Sequence, residues 1–173
     1  LPGESHDVIL ELKLLADVGL VGFPNVGKST LFNSLTGMNQ HTGNWPGKTV
    51  LTADGCFSVS GPPESTYLIT DLPGTYSLSA HSPEEETARD FICRGRKGTP
   101  PELAIVVCDA GCLERNMLLV LQTLEISKRV IVCVNMLEDA RRRGVSIDCE
   151  LLSSRLGVPV IGICARSRRG ARP

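Results

Sequence analysis

The run Gly22-Phe23-Pro24-Asn25-Val26-Gly27-Lys28-Ser29 constrains this chain more than any other feature. Its two glycines bracket four residues and are followed at once by lysine and serine, a spacing that lets the backbone wrap closely and aim its N–H groups inward. Before it, Val18-Gly19-Leu20-Val21 reads as a short buried strand. After it, Thr30 to Leu35 reads as a helix with Leu31, Phe32 and Leu35 as its apolar stripe. A glycine-bounded loop between a strand and a helix is a cradle for phosphates, because backbone N–H groups and the positive helix end converge there. In such a loop Lys28 places an ammonium on the β and γ phosphates, and the Ser29 hydroxyl is a hard oxygen ligand for Mg²⁺. Gly22, Asn25, Val26, Gly27, Lys28, Ser29 and Thr30 are the candidate phosphate-binding residues.

The rest of the chain alternates strands with helices. Leu103 to Cys108, Arg129 to Val134 and Val158 to Cys164 are nearly unbroken apolar runs, expected as buried strands. Leu113 to Ile126 and Cys149 to Leu156 read as helices. Ser82-Pro83-Glu84-Glu85 is a helix start, with an N-cap serine, a proline in the first turn and acids at the positive end; that helix runs to about Arg94. Thr49–Ser60 and Ser65–Thr70 flank Gly61-Pro62-Pro63-Glu64 and read as a hairpin, while Met38 to Lys48 reads as a loop and the chain after Val134 passes into another at Asn135. The expected fold is α/β: a mostly parallel six-stranded sheet with one antiparallel edge strand and helices on both faces. Residues 1–16 are expected as a lead-in and 17–173 as one nucleotide-binding domain, the number of domains a chain of 173 residues favours.

Two further stretches narrow the ligand. Asp71-Leu72-Pro73-Gly74 follows the strand-like Tyr67-Leu68-Ile69, so that Asp71 can hold the Mg²⁺ shell and Gly74 can offer its N–H to a γ-phosphate. Asn135-Met136-Leu137-Glu138 follows a buried strand, where a GTPase reads guanine with an asparagine and, three residues on, an acid. The usual acid there is aspartate; Glu138 carries the same pair of acceptors on a longer arm, and Asp139 could substitute if the loop shifted by one residue. Cys164-Ala165-Arg166 ends the last strand, where GTPases pack a short loop on the base. An ATPase is the alternative if Glu138 spoils guanine reading.

Composition excludes other classes. A net charge of −1 gives no global attraction to nucleic acid, and none is expected as a partner. Arg141-Arg142-Arg143 and the arginine-rich stretch from Arg166 to Arg172 read as a solvated helix face and a frayed end. No apolar run has the length of a membrane span, and no signal peptide is visible. The seven cysteines lack C-x-x-C spacing, and Cys108, Cys133 and Cys164 sit in apolar runs, as reduced thiols of a cytosolic protein would.

From Gly43-Asn44-Trp45-Pro46-Gly47-Lys48-Thr49-Val50, from Asp71 to Leu78 followed by Ser82-Pro83-Glu84-Glu85, and from Asp109-Ala110 with Leu113-Glu114-Arg115-Asn116, the chain resembles the FeoB family of bacterial ferrous-iron transporters, over roughly residues 31–170. The first two stretches look like that family's switch I and switch II. Leu12 to Asn25 resembles instead the Obg family of ribosome-associated GTPases. The resemblance implies a P-loop GTPase domain of Ras-like fold that binds GTP and GDP with Mg²⁺. It further implies a place on the cytoplasmic face of the bacterial inner membrane, followed in the whole protein by a helical regulatory domain and a membrane transport domain. An Obg-like assembly GTPase and a module that signals by GDP occupancy are the rival readings.

The resemblance also assigns roles. Thr49 would join Ser29 and Asp71 on Mg²⁺, making residues 43–49 a switch that orders on γ-phosphate. Asn25, with the backbone carbonyls of Gly43 and Trp45, would hold K⁺ beside the phosphates, a charge that acts as an arginine finger does. Lys28, Asn25, Thr49 and Gly74 are thus the candidate catalytic residues. Thr75 stands where Ras-like GTPases have a glutamine that orients the attacking water, so intrinsic turnover is expected near about 10⁻⁴–10⁻² s⁻¹.

Overall fold

Strand β1 (Leu15–Gly22) lies near the middle of a seven-stranded sheet and feeds the glycine loop directly into helix α1 (Lys28–Thr36). The computed structural model describes residues 15–37, 41–44, 50–59, 65–95 and 98–164. The chain continues through β2 (His41–Asn44), β3 (Leu51–Val59), β4 (Ser65–Asp71), α2 (Pro83–Arg94) and β5 (Leu103–Asp109). A single 3₁₀ turn at Ala110–Cys112 leads into α3 (Leu113–Ile126), and β6 (Val130–Asn135), α4 (Leu137–Arg142), α5 (Cys149–Leu156) and β7 (Val160–Gly162) follow.

The sheet order is β2-β3-β4-β1-β5-β6-β7. β1 pairs in parallel with both β4 and β5, and β6 joins β5 and β7 in the same sense. β3 alone opposes its two neighbours. From β1 the chain moves to one side to reach β4, then to the other through β5, β6 and β7. Right-handed crossovers then set α1 on one face and the later helices on the other. α1 touches β1, β3 and β4, while α2 packs on β1 and α3. Gly19 makes the second contact possible, since a Cβ there would stand 2.8 Å from the Phe91 ring of α2.

The expected parallel sheet with one opposed strand is what forms, with one strand more than the six anticipated. The extra strand is β2, inside the stretch read as a loop: His41–Asn44 pairs with Leu51–Asp54, so that β2 rather than β3 is the edge. Its sequence, His-Thr-Gly-Asn, has no alternation, and only the neighbouring β3 recruits it. β1 also starts earlier than the boundary at 17, because Leu15 and Ala16 pair with Thr66 and Tyr67. The last strand is shorter than its apolar run, three residues against the seven expected.

The core fills both faces of β1, β5 and β6 with Val18, Leu20, Val106, Val107, Val132 and Val134, closed by Phe32 from α1 and Phe91 from α2. α2 begins as its sequence dictates: Ser82 accepts a bond from the Glu85 N–H at 3.2 Å, with Pro83 at the first position. Among the described residues no helix is long and apolar enough to cross a membrane.

Cys108 and Cys133 are buried in the sheet, and loss of hydration pushes each thiol up to about 12. Cys56 and Cys93 are exposed. Maleimide labelling of the native protein at roughly pH 8 should therefore modify Cys56 and Cys93 and spare Cys108 and Cys133, as peptide mass mapping would read. Labelling of all four at equal rates would mean that the sheet opens.

Candidate nucleotide site

The parallel strands end along one edge of the sheet, and the loops leaving β1, β4, β6 and β7 surround a cavity of about 980 Å³. That volume is at the upper end of the range of about 300–1,000 Å³ typical of small-molecule sites. One end is formed by Pro24, Asn25, Gly27, Lys28, Ser29, Thr30 and Gly74, the other by Asn135, Met136, Leu137, Glu138, Ile163 and Cys164.

The phosphate-loop end rests on close backbone approaches. A Cβ on Gly22 would lie 2.6 Å from the Val107 carbonyl oxygen, so only glycine lets β1 turn out of the sheet there. Asn25 takes the left-handed conformation, φ 64°, which asparagine tolerates better than most side chains. α1 starts without a side-chain cap, which leaves the N–H groups of its first turn facing the cavity. Lys28 is buried, and its ammonium donates to Asp71 Oδ1 at 2.9 Å and to the Leu72 carbonyl at 2.6 Å. The Ser29 hydroxyl donates to the other carboxylate oxygen, Asp71 Oδ2, at 2.9 Å. Val26 is buried beneath the loop.

The segment after β4 closes against the same loop. The Leu72 N–H donates to the Leu20 carbonyl and the Thr75 N–H to the Gly22 carbonyl, each at 3.1 Å. Gly74 fits between them because it has no side chain: a Cβ would stand 3.0 Å from Pro24 Cα. Thr75 is only 2% exposed, and its hydroxyl donates to the Ser77 carbonyl at 2.7 Å.

At the far end, Asn135 closes β6 and sends its side-chain N–H to the Val26 carbonyl at 3.0 Å. One buried amide thereby joins the two halves of the cavity. Met136 adopts φ 60° and turns the chain into α4, a helix where a loop was expected. Helical spacing then puts Leu137 with Arg141 and Glu138 with Arg142 on one side, and all four line the cavity together with Asp139. Arg141 and Arg142, read from the sequence as a solvated face, are thus partly cavity residues. Asp139 is paired to Arg142 at 3.6 Å.

The structure brings together Asn25, Gly27, Lys28, Ser29, Thr30, Gly74, Asn135, Met136, Glu138 and Cys164 around one cavity, with Gly22, Val26 and Asp71 behind them. Gly43 is placed elsewhere in kind, as a β2 residue opposite Thr52. Trp45, Thr49, Ala165 and Arg166 lie outside the described residues. Ser29 and Asp71 present hydroxyl and carboxylate oxygens at one point, a donor set that fits a hard divalent cation such as Mg²⁺. The exposed Asn25 amide at the phosphate end is a hard oxygen donor of the kind that suits K⁺.

Comparison with known proteins agrees in both sequence and fold. The model of the family described as ferrous iron transport protein B matches residues 16–173. The match takes in the phosphate loop whose flank resembles Obg. The Fe(2+) transporter FeoB of Escherichia coli (strain K12) is 42% identical over 153 residues, 88% of this chain and 19% of that protein. FeoB of Salmonella typhimurium gives the same values. The chain therefore spans about a fifth of the length of these curated relatives. Among solved structures, the G domain of the T. maritima FeoB iron transporter is 38% identical with a TM-score of 0.79, over 89% of this chain and 90% of that one. The cytosolic domain of the same transporter in its GMPPNP form gives 39% and 0.82, over 91% of this chain and 60% of that one. The FeoB G domain from Methanococcus jannaschii gives 36% and 0.74, over 90% of each chain.

Asn135→Asp should separate the bond to Val26 from the shape of the side chain. The aspartate has no N–H to donate and faces the Val26 carbonyl with an acceptor. We expect urea denaturation to find it less stable by about 1–3 kcal/mol. An unchanged midpoint would mean that the amide bond does not hold the loop.

Proposed function

The chain belongs to the ferrous iron transport protein B family, matching its G domain, and on that footing we propose that it binds guanine nucleotides with Mg²⁺ and hydrolyses GTP slowly. We take it to be the regulatory switch of a ferrous-iron transporter. What carries the reading is the single cavity that runs from Lys28 and Ser29 to Asn135 and Glu138, spanned by the Asn135–Val26 bond. A nucleoside triphosphate needs both ends at once. Solved relatives are described as GDP and GMPPNP forms, which supports the same ligand class here.

Each residue has a task in this reading. The N–H groups from Gly22 to Ser29, the start of α1 and the Lys28 ammonium hold the β and γ phosphates. Ser29 and Asp71, joined by Thr49, would hold the Mg²⁺, which screens phosphate charge when bound. Asn25, with the carbonyls of Gly43 and Trp45, would hold a K⁺ that offsets charge developing between the β and γ phosphates. Gly74 offers its N–H to the γ-phosphate. Asn135 and Glu138 read the guanine edge, with Met136 and the 164–166 loop against the base. Glu138 and Asp139 both line the cavity, and we assign the reading to Glu138, which keeps the spacing of the motif.

Water attacks the γ-phosphorus and the bond to the bridging oxygen breaks, giving GDP and phosphate. No side chain among the described residues is set to orient that water. The Thr75 hydroxyl is committed to the Ser77 carbonyl and buried, which supports slow intrinsic turnover. A slow hydrolase suits a switch, because the triphosphate state then persists long enough to be read. The readers in the whole protein would be the helical regulatory and membrane transport domains that follow, with this domain on the cytoplasmic face of the inner membrane.

GTP turnover in KCl against NaCl at equal ionic strength, for the wild type and Asn25→Ala, tests the proposal. We expect stimulation by K⁺ that vanishes in the variant, with turnover in NaCl near about 10⁻⁴–10⁻² s⁻¹. Equal rates in both salts would remove Asn25 from catalysis. In parallel, excess GTP but not ATP should displace a fluorescent GDP; displacement by ATP would overturn guanine reading by Glu138.

A further inference from the structure

At the margin of the cavity, which Phe23 helps to line, one cation is placed over two rings that belong to different parts of the site. Phe23, inside the phosphate loop, meets Tyr76 edge to face, with ring centroids 4.9 Å apart and planes at 76°. The Arg115 guanidinium, from the first turn of α3, lies 5.2 Å from the Tyr76 centroid and 5.8 Å from that of Phe23. Tyr76 is 51% exposed and follows Gly74 by two residues. An edge-to-face pair under a cation is an attractive arrangement, because the ring faces are negative and the ring edges positive.

The same segment is tied to α3 a second time. Gln122, two helical turns beyond Arg115, accepts from the Leu78 N–H at 2.8 Å and donates to the Ser79 hydroxyl at 3.2 Å. Glu85 of α2 accepts from the Ser77 hydroxyl and the His81 N–H, each at 3.0 Å. Residues 76–81 are thus held from the side of α2 and α3, and the Tyr76 ring reaches the phosphate loop. It lies beside the backbone contact of Gly74 with Pro24, which brings Gly74 to the phosphate end of the cavity.

We propose that Phe23, Tyr76 and Arg115 form a clasp that positions Gly74 for a terminal phosphate, so that the domain tells a triphosphate from a diphosphate partly through α3. The inference rests on the nucleotide reading above. Its physical content is preorganisation: a segment already held against the phosphate loop loses less freedom when the γ-phosphate takes the Gly74 N–H. A diphosphate does not reach Gly74 and gains nothing from the clasp. Arg115 and Tyr76 are positioning residues, acting through the backbone between them and the ligand.

The test compares affinity for GMPPNP and for GDP, by titration calorimetry with Mg²⁺ present, across single variants of the domain. Tyr76→Leu removes a ring without changing charge, and Arg115→Met removes the cation while keeping much of the side chain's reach. Both residues are exposed, so both variants should fold. We expect each to weaken GMPPNP by about 3–10-fold, the size of one ring–ring or cation–ring attraction, and to leave GDP within about 2-fold. Arg115→Lys, which keeps a cation over the rings, should recover much of the loss. Equal weakening of both nucleotides, or of neither, overturns the clasp. A selective loss in Arg115→Met with none in Tyr76→Leu also overturns it, since charge alone would then explain the effect. Failure of the wild type to bind either nucleotide would instead overturn the nucleotide reading itself.

Discussion

The Lys28 side chain is largely buried, and the geometry of the site follows from how its ammonium is satisfied. A buried cation without partners is far more expensive than any single packing defect. Here it has a carboxylate oxygen of Asp71 and the carbonyl of Leu72, both at the end of β4. That requirement draws the β1–α1 loop against the end of the neighbouring strand. Once they are together, the backbone bonds Leu72 to Leu20 and Thr75 to Gly22 extend the contact beyond β4. Ser29 takes the second oxygen of the same carboxylate. One lysine thus fixes the relative position of the β1–α1 loop and the segment after β4.

The topology determines that this happens at one place. β1 is the strand from which the connections diverge, one way to β4 and the other to β5, and parallel open sheets bind ligands in the crevice where that reversal occurs. The loops leaving β1 and β4 form one half of the cavity, and those leaving β6 and β7 the other. Val26 lies under the loop and Asn135 at the tip of β6, so their bond crosses from one half to the other. Asn135 thereby ties the end of β6 to the loop after β1.

Most of this was legible in the sequence because it is local. The Gly22–Ser29 spacing, the capped start of α2, and the limits of α3 and α5 depend on residues near each other, and the structure reproduces them. What the sequence did not disclose is what one segment does to another. β2 has no pattern of its own and exists because β3 offers an edge. α4 is six residues long, too short for a clear period, and its start was read as a loop; Arg141 and Arg142 are exposed, as a solvated helix face expects, and also line the cavity. Phe23 reads as an indifferent position within the glycine loop; its contact with Tyr76 and Arg115 joins residues far apart in the chain.

Thr75 gives the geometry its direction. A hydroxyl at this position could compete for water in the cavity, but it is turned into its own segment and bonded to Ser77, in a residue that is nearly fully buried. The Thr75 side chain therefore serves its own segment. Gly74 is pressed on Pro24, Tyr76 on Phe23, and Leu78 on Gln122, so the segment has backbone or ring contacts at alternate residues. Contacts of that kind hold the segment against the loop after β1 and against α3, and the Thr75 hydroxyl is spent within the segment itself. On the reading proposed above, that segment would keep its ligand contacts for as long as the terminal phosphate is present.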